Sequence, residues 1–273
     1  MRKIIVGAMV SLDGVMQAPG GPSEDPTKGF KFGGWEMPYF DQQFGEELDR
    51  VFKEKFDLLL GRKTYEIFAA YWPYYDDAPL GGIAKLFNDI KKYAVSGSGG
   101  VDTSWAGSVL LRDIADVKRL KQEDGPNLVT QGSTELVHAL LANDLVDAMS
   151  IFTVPVVLGG GKKLFADGSA PHSFKLTRSR VSPNGLIVGH YEREGEIRIG
   201  DTMLDAPSER EIARAEAHEA RGLKVCRRRR SGEHQKRDET VDGAHQVGVE
   251  GFVAGWSPRM PTSPARRNAA PMS

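Results

Sequence analysis

The sequence of 273 residues contains one cysteine, Cys226, and no long hydrophobic run. A single cysteine excludes an intrachain disulfide, a cysteine-based zinc site and a protein-ligated iron–sulfur cluster. No stretch approaches the ~20 apolar residues that a membrane-spanning helix requires. The apolar start of the chain resembles a signal peptide, but Asp13 and Gly14 interrupt it before a cleavage site. We therefore expect a cytoplasmic protein that does not bind membranes.

An excess of charge of one sign is also absent. The 36 Lys and Arg residues face 37 Asp and Glu residues, and the formal net charge is −1. This balance gives no reason to expect nucleic acid or an anionic membrane as a partner. Hydrophobic residues make up 40% of the chain and charged residues 27%, which is typical of globular proteins. The length predicts one or two domains.

The composition changes near residue 200. Residues 1–200 have the apolar periodicity of a folded domain, and residues 201–273 form a polar tail. The stretch Arg227–Thr240 holds no large apolar residue, so it cannot bury enough surface to offset its ordering entropy. Its four leading arginines are compatible with a nucleic-acid patch, but the acidic residues that follow favour a solvated tail. We expect the chemistry to lie in residues 1–200.

The tail contains one predicted element. Ser208 and Glu211 have the spacing of a helix capping box, which predicts a short helix over residues 207–221. The apolar residues of that helix are almost all alanine, so its amphipathicity is weak. The rest of the tail is predicted to be disordered.

Within residues 1–200, patterns typical of strands alternate with patterns typical of helices. Runs rich in Val, Ile and Leu predict strands buried on both faces, and apolar residues at helical spacing predict the helices. The last two strands flank Pro183-Asn184-Gly185, a hairpin turn signal. The alternation predicts an α/β fold in three layers: a mainly parallel central sheet, an antiparallel C-terminal hairpin and helices on both faces. The predicted strands are Arg2–Val10, Phe56–Gly61, Lys91–Ser96, Ser108–Leu111, Asn127–Gln131, Val146–Leu158, Ser173–Ser182 and Leu186–Arg193, and the predicted helices are Phe44–Lys55, Thr64–Tyr71, Leu80–Lys91, Asp113–Gln122 and Ser133–Leu141.

A Gly- and Pro-rich segment over Gln17–Trp35 lies between the first strand and the first helix. It is longer than a simple connection requires, and long loops in compact domains are usually functional. We expect this segment to cover a substrate.

The first chemical motif is a strand–glycine–helix junction. A strand ends at Gly61, and Arg62, Lys63 and Thr64 follow at a helix start. A glycine lets a ligand approach the backbone closely, and the free N–H groups of a helix start bind phosphate. The two cations and the hydroxyl group add further donors for an anion. The alternative interpretation is a plain turn whose cations bind nothing.

A second junction repeats this arrangement. The strand Asn127–Gln131 opens into Gly132, and Ser133 and Thr134 follow at a helix start. Ligands of parallel sheets bind at the carboxyl ends of the strands, so two such helix starts suit the phosphates of a dinucleotide. The alternative is an ordinary glycine turn with Ser133 or Thr134 as the helix cap.

Other signals are weaker or absent. Ser96 and Ser98 follow the third strand and suit either a phosphate or ribose contact or a flexible loop. Three glycines, Gly159–Gly161, follow a later strand without the spacing of a phosphate-binding loop. The nucleophile motif G-x-S-x-G and the zinc motif H-E-x-x-H do not occur, and the histidines lack metal-ligand spacing. We expect no metal site.

Six short segments occur in a fixed order across residues 1–200. They are Ser11-Leu12-Asp13-Gly14, Gly33-Gly34-Trp35 with Pro38, Leu60-Gly61-Arg62-Lys63-Thr64-Tyr65-Glu66, Gln131-Gly132-Ser133, Leu145-Val146-Asp147 and Pro155-Val156-Val157-Leu158-Gly159-Gly160-Gly161. Their order and spacing resemble the bacterial reductase family that includes dihydrofolate reductase and the C-terminal domain of the riboflavin-biosynthesis protein RibD. The similarity is closer to the stand-alone RibD C-terminal-like proteins.

The resemblance implies a dihydrofolate-reductase-like fold, NADPH as the cofactor and a homodimer. Carried over position by position, Gly61–Thr64 would face the cofactor phosphates and Ser96 the region of the adenosine 2′-phosphate. Gly132 and Ser133 would face the pyrophosphate. The remaining residues assigned to the cofactor are Thr134, Gly159 and Gly160.

The resemblance also implies a substrate pocket. Asp13 and Gly14 would lie beside the nicotinamide and the substrate, and Trp35 and Phe40 would form the pocket wall. Folate reductases carry a carboxylate on the helix after the tryptophan. Asp41 is out of register with that carboxylate by about one residue, which argues against folate as the substrate.

One departure from the family concerns the choice of cofactor. Many relatives place an arginine after the serine that ends the third strand, but this sequence has Gly97 there. Arg62 is then the main candidate for distinguishing NADPH from NADH.

From these observations we expect an NADPH-dependent reductase that transfers hydride to a small heteroaromatic (pterin- or pyrimidine-like) or carbonyl substrate. Asp13 and Asp41 are the predicted catalytic residues. The alternative is that Asp13 caps the turn before Gly14 and that Asp41 starts the following helix. The rival function is a dinucleotide-binding protein without catalysis.

Overall fold

The computed structural model describes residues 1–75, 81–200 and 208–221. The chain divides into two compact units, Met1–Asp201 and Thr202–Ser273. The first unit is built around one sheet of eight strands. The strands are β1 (Ile4–Ser11), β2 (Phe56–Gly61), β3 (Lys92–Val95), β4 (Ser108–Leu111), β5 (Asn127–Gln131), β6 (Ala148–Val154), β7 (Phe174–Val181) and β8 (Ile187–Arg193).

The order of the strands in the sheet is β4-β3-β2-β5-β1-β6-β8-β7. The first six strands in this order run parallel to one another. The last two pair antiparallel, β8 with β6 and β7 with β8. This mainly parallel sheet with an antiparallel C-terminal hairpin confirms the predicted fold class.

Five helices cover both faces of the sheet. Because side chains alternate across a strand, each face has its own core. On one face, Ile4 of β1 packs in a cluster with Val117 and Leu140. On the opposite face, Leu58 of β2 packs in a cluster with Tyr65. The helices are α1 (Gln42–Val51), α2 (Arg62–Ala69), α3 (Gly81–Asp89), α4 (Ile114–Gln122) and α5 (Thr134–Ala142), of which α4 and α5 cover the first face and the other three the second.

Two element ends differ from the prediction in ways that affect the site. The strand predicted over Val146–Leu158 is shorter and ends at Val154, because Pro155 has no N–H group to continue the ladder. The segment after β6 is therefore irregular backbone. Helix α2 begins at Arg62 rather than at Thr64, so two cations lie in its first turn. The other predicted elements are present with modest shifts at their ends.

In the second unit, residues 209–220 form helix α6 (Glu209–Ala220). The side-chain oxygen of Ser208 accepts a hydrogen bond from the Glu211 N–H at 3.3 Å, which is the capping contact that their spacing predicts. The other parts of the predicted tail, residues 201–207 and 222–273, lie outside the described residues. Among the helices that the structure describes, none is long and apolar enough to cross a membrane.

Candidate functional site

The sequence-predicted site residues lie in segments that leave one edge of the sheet. Strands β3, β2, β5, β1 and β6 are consecutive neighbours and run parallel, so their carboxyl ends share this edge. Ligands of parallel sheets bind at such an edge. The predicted residues end or follow these strands: Ser96 after β3, Gly61 at the end of β2 with Arg62–Thr64 after it, Gly132–Thr134 after β5, Asp13 and Gly14 after β1, and Gly159 and Gly160 after β6.

The two strand–glycine–helix junctions are joined directly. The Gly61 N–H donates a hydrogen bond of 2.9 Å to the Ser133 side-chain oxygen. Ser133 has a left-handed backbone (φ 68°) and makes no capping hydrogen bond to α5. The alternative interpretation, in which the Ser133 side chain caps α5, is therefore wrong. Instead, its hydroxyl group fixes the start of α2 beside the start of α5.

Neither helix start is capped by a side chain. Helix α2 begins after Gly61 and α5 after Ser133, and neither residue makes a side-chain capping bond. The first N–H groups of a helix have no partner within the helix. Gly132 also has a left-handed backbone (φ +72°), and a Cβ atom there would approach the Met16 Cε atom to 3.9 Å. The two adjacent helix starts thus leave backbone donors and space for an anion.

Arg62 extends from α2 to the loop that follows β3. Its guanidinium donates to the Ser98 hydroxyl group at 2.9 Å and to the Gly99 carbonyl at 3.4 Å. The Ser96 and Ser98 hydroxyl groups lie 3.3 Å apart. Arg62 also pairs with Glu66, one turn along the helix, at 2.8 Å, and both side chains are about half exposed. The structure thus brings Arg62 and Ser96 into one polar cluster through Ser98.

Arg112 is a residue of this cluster that the sequence analysis missed. A Cβ atom on Gly99 would lie only 2.6 Å from the Arg112 Nη1 atom, so this guanidinium rests against the backbone that also binds Arg62. Among the described residues, the Arg112 side chain has no hydrogen bond or ion pair. We call Arg62, Arg112 and Gly99 the arginine corner. The sequence shows only that Arg112 follows β4; its place beside Gly99 depends on the pairing of Val95 with Leu111, which brings the ends of β3 and β4 level.

Lys63 binds a residue of the long segment between β1 and α1, which we call the strap (residues 17–40). Its amino group donates to the Asp25 carboxylate at 2.7 Å and to the Thr27 hydroxyl group at 3.1 Å. Lys162 donates to the other oxygen of the same carboxylate at 2.7 Å. We call Asp25, Lys63 and Lys162 the strap clamp. Burial opposes ionisation of Asp25, but the two lysines and Thr27 hold the pKa of its carboxyl far below the usual value.

Asp13 joins the end of β1 to the segment that follows β6. Its carboxylate accepts hydrogen bonds from the Ser11 hydroxyl group at 2.6 Å, the Leu158 N–H at 3.1 Å and the Gly159 N–H at 2.9 Å. The Ser11 hydroxyl group and these N–H groups lower the pKa of Asp13 to about 2. The group is therefore a carboxylate at neutral pH. Its contacts hold the glycine-rich segment against β1.

Asp41 caps helix α1. Its carboxylate accepts from the Phe44 N–H at 2.8 Å and from the Asn184 N–H of the β7–β8 turn at 3.3 Å. Burial opposes ionisation, but the hydrogen bonds from Phe44, Ser182 and Asn184 keep the pKa of Asp41 below its usual value. The structure thus shows the helix-starting contact that the sequence offered as the alternative for this residue.

The predicted pocket wall is aromatic and mostly buried. Trp35 is 8% exposed, and its indole N–H donates to the Gln17 carbonyl at 2.8 Å. Phe40 stacks at a tilt on Phe44, with ring centroids 4.1 Å apart. Both predicted wall residues belong to one hydrophobic cluster with Phe152 of β6. The strap is thereby anchored to the sheet by its aromatic side chains.

A buried acid that the sequence analysis missed follows Trp35 directly. Glu36 is 5% exposed, and within the described chain its carboxyl group has no hydrogen bond or ion pair. Burial first, and the neighbouring Glu24 second, raise the pKa of Glu36 to about 8. Glu36 therefore holds a proton at neutral pH, unlike Asp13 and Asp41. No feature of the sequence indicates this burial, which depends on how the strap folds back on itself.

Comparisons with known proteins find a matching family and several relatives. The RibD C-terminal domain family matches residues 2–188. Two relatives come from Bacillus subtilis strain 168: the uncharacterized protein YyaP, 26% identical over 199 residues, and the uncharacterized protein YwjB, 31% identical over 197 residues. These alignments cover 71% and 70% of this chain and 96% and 98% of the relatives.

Two solved structures are also similar. One is a putative riboflavin biosynthesis protein from Shewanella sp. PV-4, with 21% identity, a TM-score of 0.47 and coverage of 70% of this chain and 99% of that one. The other is a pyrimidine reductase-like protein from Corynebacterium diphtheriae, with 16% identity, a TM-score of 0.45 and coverage of 72% and 93%.

The fold and the site define an α/β protein with two uncapped helix starts at the carboxyl edge of a mainly parallel sheet. The protein belongs to the RibD C-terminal domain family, which matches more than half of the chain. Membership of this family indicates a reductase.

Proposed function

We propose that the protein is an NADPH-dependent reductase that transfers hydride to a small heteroaromatic, pterin- or pyrimidine-like, or carbonyl substrate. The observation that carries the proposal is the pair of uncapped helix starts joined by the Gly61–Ser133 hydrogen bond, with the arginine corner at the same edge. Free N–H donors and fixed cations together match a ligand with separated phosphate groups.

The arginine corner suits the 2′-phosphate that distinguishes NADPH from NADH. Within the part of the chain that the structure describes, the Arg112 guanidinium has no hydrogen bond or ion pair, and it lies against Gly99, whose carbonyl accepts from Arg62. The Ser96 and Ser98 hydroxyl groups lie beside them. In our proposal, Arg112 supplies the cation that many relatives have at the position of Gly97.

The helix starts suit the pyrophosphate. In our proposal, backbone N–H groups of α2 and α5 bind its oxygens, with Thr64 and Thr134 as hydroxyl donors. Gly132 leaves the space that a side chain would fill. Gly159 and Gly160 complete the surface, although the Gly159 N–H is already donated to Asp13.

At the substrate end, the cofactor would supply the hydride, and the protein would supply orientation and a dry pocket. In our proposal, Trp35 and Phe40, which pack in one hydrophobic cluster, form the apolar wall of this pocket, and Gly14 leaves open space beside Asp13. We assign Asp13 and Asp41 to positioning at this end rather than to proton delivery, because hydrogen bonds keep both carboxyl groups ionised. Glu36 of the strap has a pKa that burial raises to about 8, so this acid keeps its proton at neutral pH.

The test is a pair of binding titrations with NADPH and NADH, followed by NADPH oxidation in the presence of pterins, pyrimidine flavin precursors and quinones. We expect tighter binding of NADPH and turnover with at least one substrate class. Equal dissociation constants would contradict the role of the arginine corner. Binding without any turnover would favour the dinucleotide-binding protein over the enzyme.

We also propose that the protein is a homodimer. On the C-terminal hairpin, Val181 pairs with Ile187 and Leu176 pairs with Tyr191, and the bulge after Leu176 keeps all four on one face. Three of these side chains are exposed: Leu176 by 49%, Val181 by 63% and Ile187 by 46%. Exposed apolar side chains that share a surface mark association sites. Sedimentation velocity should show a dimer, and Val181→Lys should shift it towards the monomer.

A further inference from the structure

The strap clamp spans the carboxyl edge of the sheet. Lys63 follows β2 and Lys162 follows β6, and the sheet order places β5 and β1 between these two strands. The single carboxylate of Asp25 bonds to both lysines. The strap therefore crosses the ends of β5 and β1, where Gly132 and Asp13 lie. These are the positions at which the proposed function places the phosphates and the nicotinamide.

The clamp is asymmetric in its burial. The Asp25 side chain is 9% exposed, whereas Lys63 is 45% exposed and Lys162 is 23% exposed. The lysines can thus exchange partners at the surface, but the carboxylate is held out of water. A buried carboxylate that loses its cations keeps its desolvation penalty without compensation. An anion that captured the two lysines would therefore drive Asp25 towards solvent.

Further hydrogen bonds connect Asp25 to neighbouring residues of the strap, so a displacement of Asp25 would also displace those residues. The Gln17 amide donates to the Asp25 carbonyl at 2.9 Å and to the Thr27 carbonyl at 3.0 Å. The Gln17 side-chain oxygen accepts from the Lys162 N–H at 3.0 Å. Thr27 donates its own N–H and hydroxyl group to the Asp25 carboxylate. The segment from Gln17 to Thr27 and the Lys162 backbone thus share one network with the clamp.

We propose that Lys63 and Lys162 form an anion subsite for the diphosphate of a dinucleotide, and that Asp25 is its internal counter-ion. A phosphate oxyanion replaces the carboxylate on the two lysines, and the part of the strap around Asp25 is released when this replacement occurs, while Trp35 and Phe40 keep their packing against the sheet. This inference rests on the proposed function for the identity of the ligand, but the exchange itself can be observed with inorganic pyrophosphate. Binding and release are reciprocal, so a variant with a released strap binds the anion more tightly.

The experiment is amide hydrogen exchange of the full-length protein, read on peptides from the strap and on peptides from β5 as an internal reference. Inorganic pyrophosphate is titrated against sodium chloride at matched ionic strength. We expect pyrophosphate to speed exchange in the strap of the unmodified protein and chloride to leave it unchanged. In Asp25→Asn, exchange should be about tenfold faster without any anion, and pyrophosphate should add nothing.

Matched variants separate the clamp from its surroundings. Glu24→Gln changes the neighbouring carboxylate, which among the described residues accepts from the Gly20 and Gly21 N–H groups and not from the lysines of the clamp. It should keep the response to pyrophosphate. Lys162→Gln should abolish the response, and Lys163→Gln should preserve it.

Two results would overturn the inference. One is strap exchange in the unmodified protein that does not change with pyrophosphate. The other is an Asp25→Asn variant that is folded and exchanges like the parent. If pyrophosphate releases the strap but neither NADPH nor NADH binds, the clamp stands and the proposed cofactor is wrong. If NADPH binds while pyrophosphate leaves hydrogen exchange in the strap unchanged, the proposed function stands. The inference that an anion replaces the Asp25 carboxylate is then wrong.

Discussion

The carboxyl edge of the sheet holds cations in two different electrostatic states. In the arginine corner, Arg112 has no acidic partner among the described residues, and the acid that pairs with Arg62 is about half exposed. In the strap clamp, Lys63 and Lys162 share the carboxylate of Asp25, which is almost fully buried. Exposed ion pairs contribute little and exchange readily, whereas a buried charge must keep its partners. The arginine corner can therefore accept an anion without losing a buried partner. In the strap clamp, an anion would first have to displace the Asp25 carboxylate from the two lysines.

The largest expected effect comes from the glycine between these two regions. In Gly132→Val, a β-branched side chain would occupy a left-handed backbone (φ +72°) and the approach to the α5 start. We expect the variant to lose detectable binding of NADPH, provided that circular dichroism shows it is folded. Gly45→Val is the control, because a Cβ atom there meets nothing within 4 Å. A folded Gly132→Val protein with parental affinity would mean that Gly132 is only a turn residue.

The corner itself can be divided into its two arginines. Arg112→Ala and Arg62→Ala should each weaken NADPH binding by about 1.5–3 kcal/mol, the usual contribution of a hydrogen bond to a charged group. Binding of NADH should change little, because it lacks the 2′-phosphate. Isothermal titration of both cofactors measures the difference. Arg119→Ala, which removes an exposed arginine paired with Asp116 on α4, serves as the control. If Arg112→Ala binds NADPH like the parent, Arg112 is not part of the subsite.

The strap differs from the corner in its response to pH. The pKa of Glu36 is about 8 in the folded protein against 4.5 for an ordinary glutamate. Between these values the folded state binds the proton more tightly than the unfolded state, so this group makes stability fall as pH rises, by ~1.4 kcal/mol per pH unit. Glu36→Gln should remove that loss. Urea unfolding from about pH 5 to about pH 8 measures it.

Glu24→Gln should have a smaller effect than Glu36→Gln on how the free energy of unfolding depends on pH. The Glu24 carboxylate raises the pKa of Glu36, but burial is the larger cause. The slope should therefore persist in this variant over a narrower pH range. If the free energy of unfolding depends on pH in the same way in Glu36→Gln and in the parent, the pKa of Glu36 is not raised in the folded protein.

Much of the fold could be predicted from the sequence because its signals are local. Glycines after apolar runs, helical spacing and the Pro-Asn-Gly turn each act within a few residues. The position of Arg112 beside Gly99 depends instead on how β3 pairs with β4. The backbone N–H groups that bind Asp13 lie beyond residue 150, and the lysines that bind Asp25 lie on α2 and after β6. These contacts join segments with no shared periodicity, so sequence patterns do not reveal them.

The hydrogen bond from the Gly61 N–H to the Ser133 hydroxyl group joins residues that are 72 positions apart in the chain. Because it fastens the first turn of one helix to the first turn of another, the spacing between their N–H groups is set by a single side-chain oxygen. A ligand with two phosphate groups at the matching separation would bind to both helix starts at once. A ligand with one phosphate group would bind to one helix start only. By accepting from the Gly61 N–H, the Ser133 hydroxyl group would thus set the separation of the two phosphate groups that the site accepts.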